Sequence, residues 1–289
     1  MKTALKADIP VWQTTCYTIA LDEPKVMGIV NLTPDSFSDG GVYNTPLVAL
    51  KHAEQLIAQG AHILDIGAES TRPGTPPVPL EEELHRLIPV IKEAVKLGVP
   101  ISVDTYKPQV MQAVLDEGVD IINDVWALRM PGALDVIAAH PACGVCLMHM
   151  HGEPQTMQIS PMPSPVVPQV RFFLEQQATA LKAKGISHER IVLDYGIGFG
   201  KTVEQNFSLL SHQSELLSLG YPILAGWSRK SSIGAVTGRD IQHRTAGSVA
   251  AALLAVEKGA RIVRVHDVQE TADALKIWQA ACNNQTTVN

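Results

Sequence analysis

The chain has 289 residues, 46% hydrophobic and 18% charged, an ordinary soluble composition with room for one large domain or two small ones. Its net charge of −6 at pH 7 excludes a global field that would draw it to nucleic acid or an anionic membrane, so an anionic ligand must be held by a local cluster. No apolar run has the length of a signal peptide or membrane span, and four scattered cysteines make no disulfide framework, which together point to the cytoplasm.

Residues 1–25 carry weak strand signals around 14–21 and are expected as a lead-in covering one end of the core. Val26 to Val30 is a short run with β-branched residues, as in a strand buried on both faces, and Asn31 ends it. Thr33, Pro34, Asp35, Ser36, Ser38, Asp39, Gly40 and Gly41 then favour a turning, movable loop in which Phe37 is the one large apolar residue. An ordinary surface loop is the plainer reading of that composition.

Leu47, Leu50, Ala53, Leu56 and Ile57 recur at helical spacing and predict a helix over 46–59, with Gly60 suited to its C-cap. AHILDIG is a second strand, 79–97 a second helix and VPISVDT a third strand. The alternation continues with a helix over 107–117, the strand VDIINDV, a helix over 132–140 and a strand over 144–149. A long helix over 166–184, a strand over 190–194, a helix over 203–219 and the strand YPILAG follow. An alanine-rich helix over 244–258, the strand ARIVRVH and a helix over 269–281 complete the pattern. The tail, from 283, is expected to be disordered.

About eight short apolar strands alternating with helices argue for an α/β fold with a parallel sheet, and this number closing on itself predicts a single-domain (β/α)8 TIM barrel over 26–282. A doubly wound open sheet is the main rival. No G-x-G-x-x-G follows the first strand, which argues against its dinucleotide-binding version.

Nearly every apolar run ends in a polar group: Asn31, Asp65, Asp104, Asn123 with Asp124, His149, Asp194, Ser228 with Arg229 and Lys230, and His266. Any one could be a turn former or a cap. In a barrel these ends share one mouth, where active sites of the fold are built. Asp104, Asn123 and Asp194 offer acceptors and an amide suited to a flat heterocycle with amino and ring N–H donors. Arg72, Arg229, Lys230, Arg264 and His266 offer cations and donors for phosphate or carboxylate. Arg264 and His266, two apart on a strand, face the same side. His149 and His151 form an H-x-H without an evident third ligand, so zinc is the weaker reading. Cys143 and Cys146 form a C-x-x-C inside an apolar run, where two buried small residues are the simpler account.

GIVNLTPDSFSDGG, ILDIGAESTRPG, SVDT, IINDV, CLMHM, GIGFGK, SRKSSIG and RIVRVHDV occur in one order over 26–268, and in this the chain resembles the bacterial dihydropteroate synthase family. The resemblance implies a TIM barrel that condenses 6-hydroxymethyl-7,8-dihydropterin diphosphate with 4-aminobenzoate, releasing pyrophosphate and forming 7,8-dihydropteroate. It implies that Asp104, Asn123, Met148, Asp194, Phe199 and Lys230 hold the pterin. Asn31, Arg72, Arg264 and His266 would hold the diphosphate, with Asn31 also reaching Mg²⁺. Phe37, Thr71, Arg72, Pro73, Phe199, Lys230 and Ser231 would form the aminobenzoate pocket. Asp35, Asp104, Lys230, Arg264 and His266 would serve catalysis, with diphosphate leaving before the amine attacks.

The resemblance also implies sulfonamide inhibition and a homodimer through the later helices; the Gly-, Pro-, Ser- and Thr-rich loops over 33–41 and 70–79 predict binding of the pterin diphosphate first, and charge and hydropathy leave neither nucleic acid nor membrane as partner. Tyr195, Trp227 and Ser232 depart from the family pattern, which there has a proline, a smaller residue and a bulky apolar residue respectively. A non-catalytic pterin-binding paralogue and a methyltransferase of the wider superfamily would share the barrel. The complete loop motifs and the SRKS and RVH anion groups favour the synthase.

Overall fold

The computed structural model describes residues 9–33, 45–70, 75–152, 157 and 159–285. Two short strands, β1 (Val11–Gln13) and β2 (Thr18–Ala20), pair antiparallel as a hairpin. Eight parallel strands follow: β3 (Lys25–Asn31), β4 (Ile63–Gly67), β5 (Ile101–Asp104), β6 (Ile121–Asp124), β7 (Gly144–Met148), β8 (Ile191–Asp194), β9 (Ile223–Ala225) and β10 (Ile262–Val265). They pair in chain order, and β10 closes the barrel against β3. The expected TIM barrel is the fold.

Around it run α1 (Thr45–Ala58), α2 (Leu80–Ala94), α3 (Pro108–Asp116), α4 (Ala133–Ala139), α5 (Val166–Ala183), α6 (Val203–Ser211), α7 (Gln213–Leu217), α8 (Ser231–Thr237), α9 (Thr245–Glu257) and α10 (Val268–Gln285). Local chemistry starts several of them. Three glutamates, Glu81 to Glu83, meet the positive end of α2. Pro108 fits the first turn of α3, where its missing N–H costs nothing. Thr202 and Gln205 form a capping box at α6.

Three boundaries differ from expectation. The helix expected over 203–219 is broken at His212, whose backbone (φ −106°, ψ 24°) leaves the helical region. Gln213 is thereby turned fully inward, where it donates to the carbonyls of Ala255 (2.9 Å) and Lys258 (3.0 Å). Helix α8 has no counterpart in the sequence reading, because SSIGAVT is short and built from weak helix formers. Helix α10 runs past Ala281 to Gln285, into the expected tail.

Alternation along the strands separates two cores. Outward residues such as Val26, Leu64, Val103, Ile122 and Val263 pack with the helices. Inward residues Met27, Ile63, Ile121, Cys146, Val192, Leu224 and Ile262 fill the lower barrel together with Trp12 and Leu21 from the hairpin. Trp12 Nε1 donates to the Arg190 carbonyl (3.0 Å), and a Cβ at Gly144 would lie only 2.9 Å from that nitrogen, so glycine is what fits beneath the ring. Asp120 ties the hairpin to the strands, accepting from the N–H groups of Cys16 (2.9 Å) and Ile101 (3.1 Å). Cys143 faces the helices and Cys146 the barrel interior, both buried.

Candidate active site

One pleat above the apolar floor, the inward positions turn polar. Asp65 on β4 is fully buried, and a lone carboxylate there would carry a large desolvation cost. It accepts instead from Ser102 Oγ (2.6 Å), Asn123 Nδ2 (3.1 Å) and Arg264 Nε (2.6 Å). Arg264 spends a second donor, Nη2, on Asp104 (2.9 Å). Burial acts to lower the Arg264 pKa, but the carboxylates of Asp65 and Asp104 outweigh it and hold the pKa above its ordinary value. Asp104 is pushed up to about 7, chiefly by burial; Arg264 opposes the rise, and the charges of Asp65, Asp124 and Glu83 add to it.

Across the mouth, Asp194 at the end of β8 accepts from the Gly196 N–H (2.7 Å). Burial raises its pKa against that hydrogen bond and the charge of Lys230. The loop after it curls round Lys201, whose buried ammonium donates to the carbonyls of His149 (3.3 Å), Gly196 (2.8 Å) and Phe199 (3.1 Å). That loop places Phe199 in an apolar wall with Val125, Met148, Met150 and Met157. Lys230, the residue before α8, sets its ammonium 4.3 Å from the centre of the Phe199 ring, a favourable cation–π contact. Burial, helped by Arg264, lowers Lys230 to about 8.

His266 follows β10 beside this group. Ser228 Oγ accepts from the His266 backbone N–H (3.1 Å) and meets Nδ1 at 3.0 Å; with the hydroxyl donating to Nδ1, the ring proton sits on Nε2. Burial and the charges of Arg264 and Arg229 drive His266 down to about 3. It is therefore a neutral N–H donor. Arg229 pairs its guanidinium with Asp267 through two hydrogen bonds (2.6 and 3.1 Å) and braces the turn. Ser231 is exposed as the first residue of α8, and Asn31 lies half-buried at the end of β3.

The mouth thus gathers Asn31, Asp104, Asn123, Met148, Asp194, Phe199, Lys230, Ser231, Arg264 and His266. Asp35, Phe37, Thr71, Arg72 and Pro73 lie outside the described residues. Two strand-end groups turn away from the mouth. Asp124 accepts from the N–H groups of Trp126 and Leu128 (both 2.7 Å), and the buried His149 packs edge-on to Phe173. The family departures sit behind the site: Tyr195 donates to Gln213 Oε1 (3.0 Å), and Trp227 Nε1 donates to the Tyr195 hydroxyl (3.3 Å).

Sequence reasoning assigned no role to Asp65, whose place in the alternation, two residues above the floor residue Ile63, was the available signal. It also missed Lys107, which pairs with both Glu69 and Glu83. Glu69 further accepts from the Tyr106 hydroxyl (2.9 Å) and the Val78 N–H (3.1 Å), which fixes the chain beside Asp104.

Residues 27–266 match the family model described as pterin binding enzyme. The dihydropteroate synthase of Neisseria meningitidis serogroup C is 54% identical over 274 residues, 93% of this chain and 97% of the relative. The crystal structure of Burkholderia cenocepacia dihydropteroate synthase complexed with 7,8-dihydropteroate superposes with a TM-score of 0.88 at 47% identity, covering 97% of this chain and 99% of that one. That of the Yersinia pestis enzyme with a sulfonamide drug complex gives 0.89 at 43% identity, covering 94% and 99%.

Proposed function

The chain belongs to the pterin-binding enzyme family, and we propose that its barrel mouth is where the family's dihydropteroate synthase reaction runs. The protein is a transferase that joins 6-hydroxymethyl-7,8-dihydropterin diphosphate to 4-aminobenzoate, giving 7,8-dihydropteroate and pyrophosphate in folate biosynthesis. The observation that carries the site assignment is the meeting, on one rim, of acceptors for a heterocycle with an aromatic-backed cation.

Asp194 keeps acceptor capacity beyond its bond to Gly196, enough for the amino group and ring N–H of a pterin. Asn123 spends Nδ2 on Asp65 and presents its amide oxygen. Met148 and Phe199 supply the apolar faces against which the bicyclic ring stacks. Arg264, with two donors committed to Asp65 and Asp104, turns its remaining N–H groups to the diphosphate beside the Nε2–H of His266. The C–O bond to diphosphate breaks first, leaving a methylene cation delocalised into the dihydropterin, and ionised Asp104 stabilises it. The neutral aromatic amine then forms the C–N bond and loses its proton, so no strong base is required. Lys230, Ser231 and Phe199 hold the aminobenzoate, completed by Phe37, Thr71, Arg72 and Pro73, with Arg72 also on the diphosphate and Asp35 serving catalysis.

Among the described residues no three His, Cys, Asp or Glu side chains cluster as a metal cage, and Asn31 offers one amide oxygen at the rim. That donor set fits Mg²⁺, which takes most of its ligands from substrate phosphate and water. Held by Asn31, Mg²⁺ would neutralise charge on the departing diphosphate.

Sulfonamides compete with aminobenzoate for its pocket, consistent with the drug-bound relative. Exposed Val236, Leu254 and Ile277 on α8, α9 and α10 support a homodimer through the later helices, and sedimentation at micromolar concentration showing monomer alone would exclude it. Unpaired, buried Cys143 and Cys146 suit the cytoplasm, and no helix among the described residues is long and apolar enough to cross a membrane. The reaction is tested by steady-state pyrophosphate release: turnover requires both substrates, and sustained release from the pterin diphosphate alone would overturn the assignment.

A further inference from the structure

Phe199 and Lys230 come from loops after different strands, β8 and β9, yet they must stay in register for the cation to sit over the ring. The Lys230 stem crosses Gly198, where a Cβ would lie 3.5 Å from Lys230 Cδ. Gly198 has φ +84°, a left-handed turn that aims its N–H away from the stem and toward α6. There the side chain of Asn206, 1% exposed, reaches both loops. Its Oδ1 accepts from the Gly198 N–H (3.0 Å), and its Nδ2 donates to Ser232 Oγ (2.9 Å), two residues beyond Lys230. The backbone donor at Gly198 fixes which end of the amide carries oxygen. The support beneath Asn206 is rigid: the α6 capping box holds the helix start, and Gln205 Nε2 donates to the Met162 carbonyl (2.7 Å).

We propose that Asn206, acting through Gly198 on one side and Ser232 on the other, is the positioning residue that holds Lys230 over Phe199 for catalysis. The proposal rests on the reading above that Lys230 and Phe199 meet substrate. It gives a purpose to Ser232, whose buried hydroxyl accepts from Asn206. The contacts form one chain, from the Gly198 turn through the Asn206 amide to the first turn of α8. Loss of either hydrogen bond lets one loop move against the other, while Phe199 and Lys230 remain chemically intact.

A double-mutant cycle on kcat/KM for aminobenzoate separates positioning from general stability. Asn206→Ala is expected to lower kcat/KM about tenfold in the otherwise native enzyme. In the Lys230→Met background the same change is expected to cost less than about twofold, because the group it positions is gone. Ser232→Ala, a second variant that removes a single buried oxygen, is expected to repeat the pattern with a smaller first loss, and it carries the test if Asn206→Ala fails to fold. Losses that multiply independently in the two backgrounds would overturn the proposal while leaving the site assignment standing. A Lys230→Met enzyme with native kcat/KM would overturn both.

Discussion

The floor and the mouth of this barrel are built by the same strands and differ by one pleat. Below, Met27, Ile63, Ile121, Cys146, Val192, Leu224 and Ile262 close on Trp12 and Leu21 without a polar side chain among them. Above, Asp65, Ser102, Asn123, Asp104 and Arg264 form one hydrogen-bonded group. A step of two residues along β4, from Ile63 to Asp65, crosses from one regime to the other. Burial stabilises the floor outright, whereas in the mouth it forces charges to find each other and moves the pKa values of Asp104 and Lys230 toward neutrality. The floor therefore sets stability and the mouth chemistry, and substitutions should sort accordingly.

The largest effect expected is on the floor. Trp12→Ala empties the hairpin plug and strands the Arg190 carbonyl, which should cost about 3–5 kcal/mol of unfolding free energy, read by denaturant titration. The KM values of the folded enzyme should stay native. A large KM change without loss of stability would break the division between the two layers.

Lys230→Met is the converse case. It removes a desolvated ammonium from the Phe199 ring and should lower kcat/KM by roughly a hundredfold or more, the scale of losing a charged contact to substrate. Thermal stability should change little, because the buried charge is itself costly. Near-native turnover would show that Lys230 is not in the site.

A smaller effect sharpens the same contrast through pH. Asp104, raised to about 7, is ionised only above that value, and Lys230, lowered to about 8, is charged only below it. The kcat/KM profile should rise through about 7 and fall through about 8, with the apparent values belonging to the linked cluster. Lys230→Met should abolish the alkaline limb, and a flat native profile across this interval would contradict the pairing of roles.

Much of this arrangement was legible in the chain. Strands buried on both faces read as short apolar runs, and the barrel follows from their number and alternation with helices. What the residues hid was orientation. Asn123 and Asp124 are neighbours with similar chemistry, yet one faces the mouth and the other caps a turn; Met148 and His149 divide the same way. A shift of one residue reverses the face, and register is settled by pairing across strands. Arg229 had no visible partner in the chain because Asp267 is 38 residues away. Whether His266 would act as a cation or as a neutral donor was open in the chain, because its neutrality depends on burial and on Arg264, which only the folded barrel brings beside it. Asp65 lacked a role for the same reason: its partner Arg264 is 199 residues distant.

Calorimetric titration of the pterin diphosphate into native protein and Asp194→Asn asks whether the polar layer binds the pterin. Replacing the carboxylate with an amide keeps shape and burial but sets an NH₂ group against the ligand's own donors. Affinity should fall about tenfold to a hundredfold, the worth of a charge-assisted pair of hydrogen bonds, with the melting temperature unchanged or raised. An unaltered dissociation constant in a folded variant would mean that the pterin binds elsewhere.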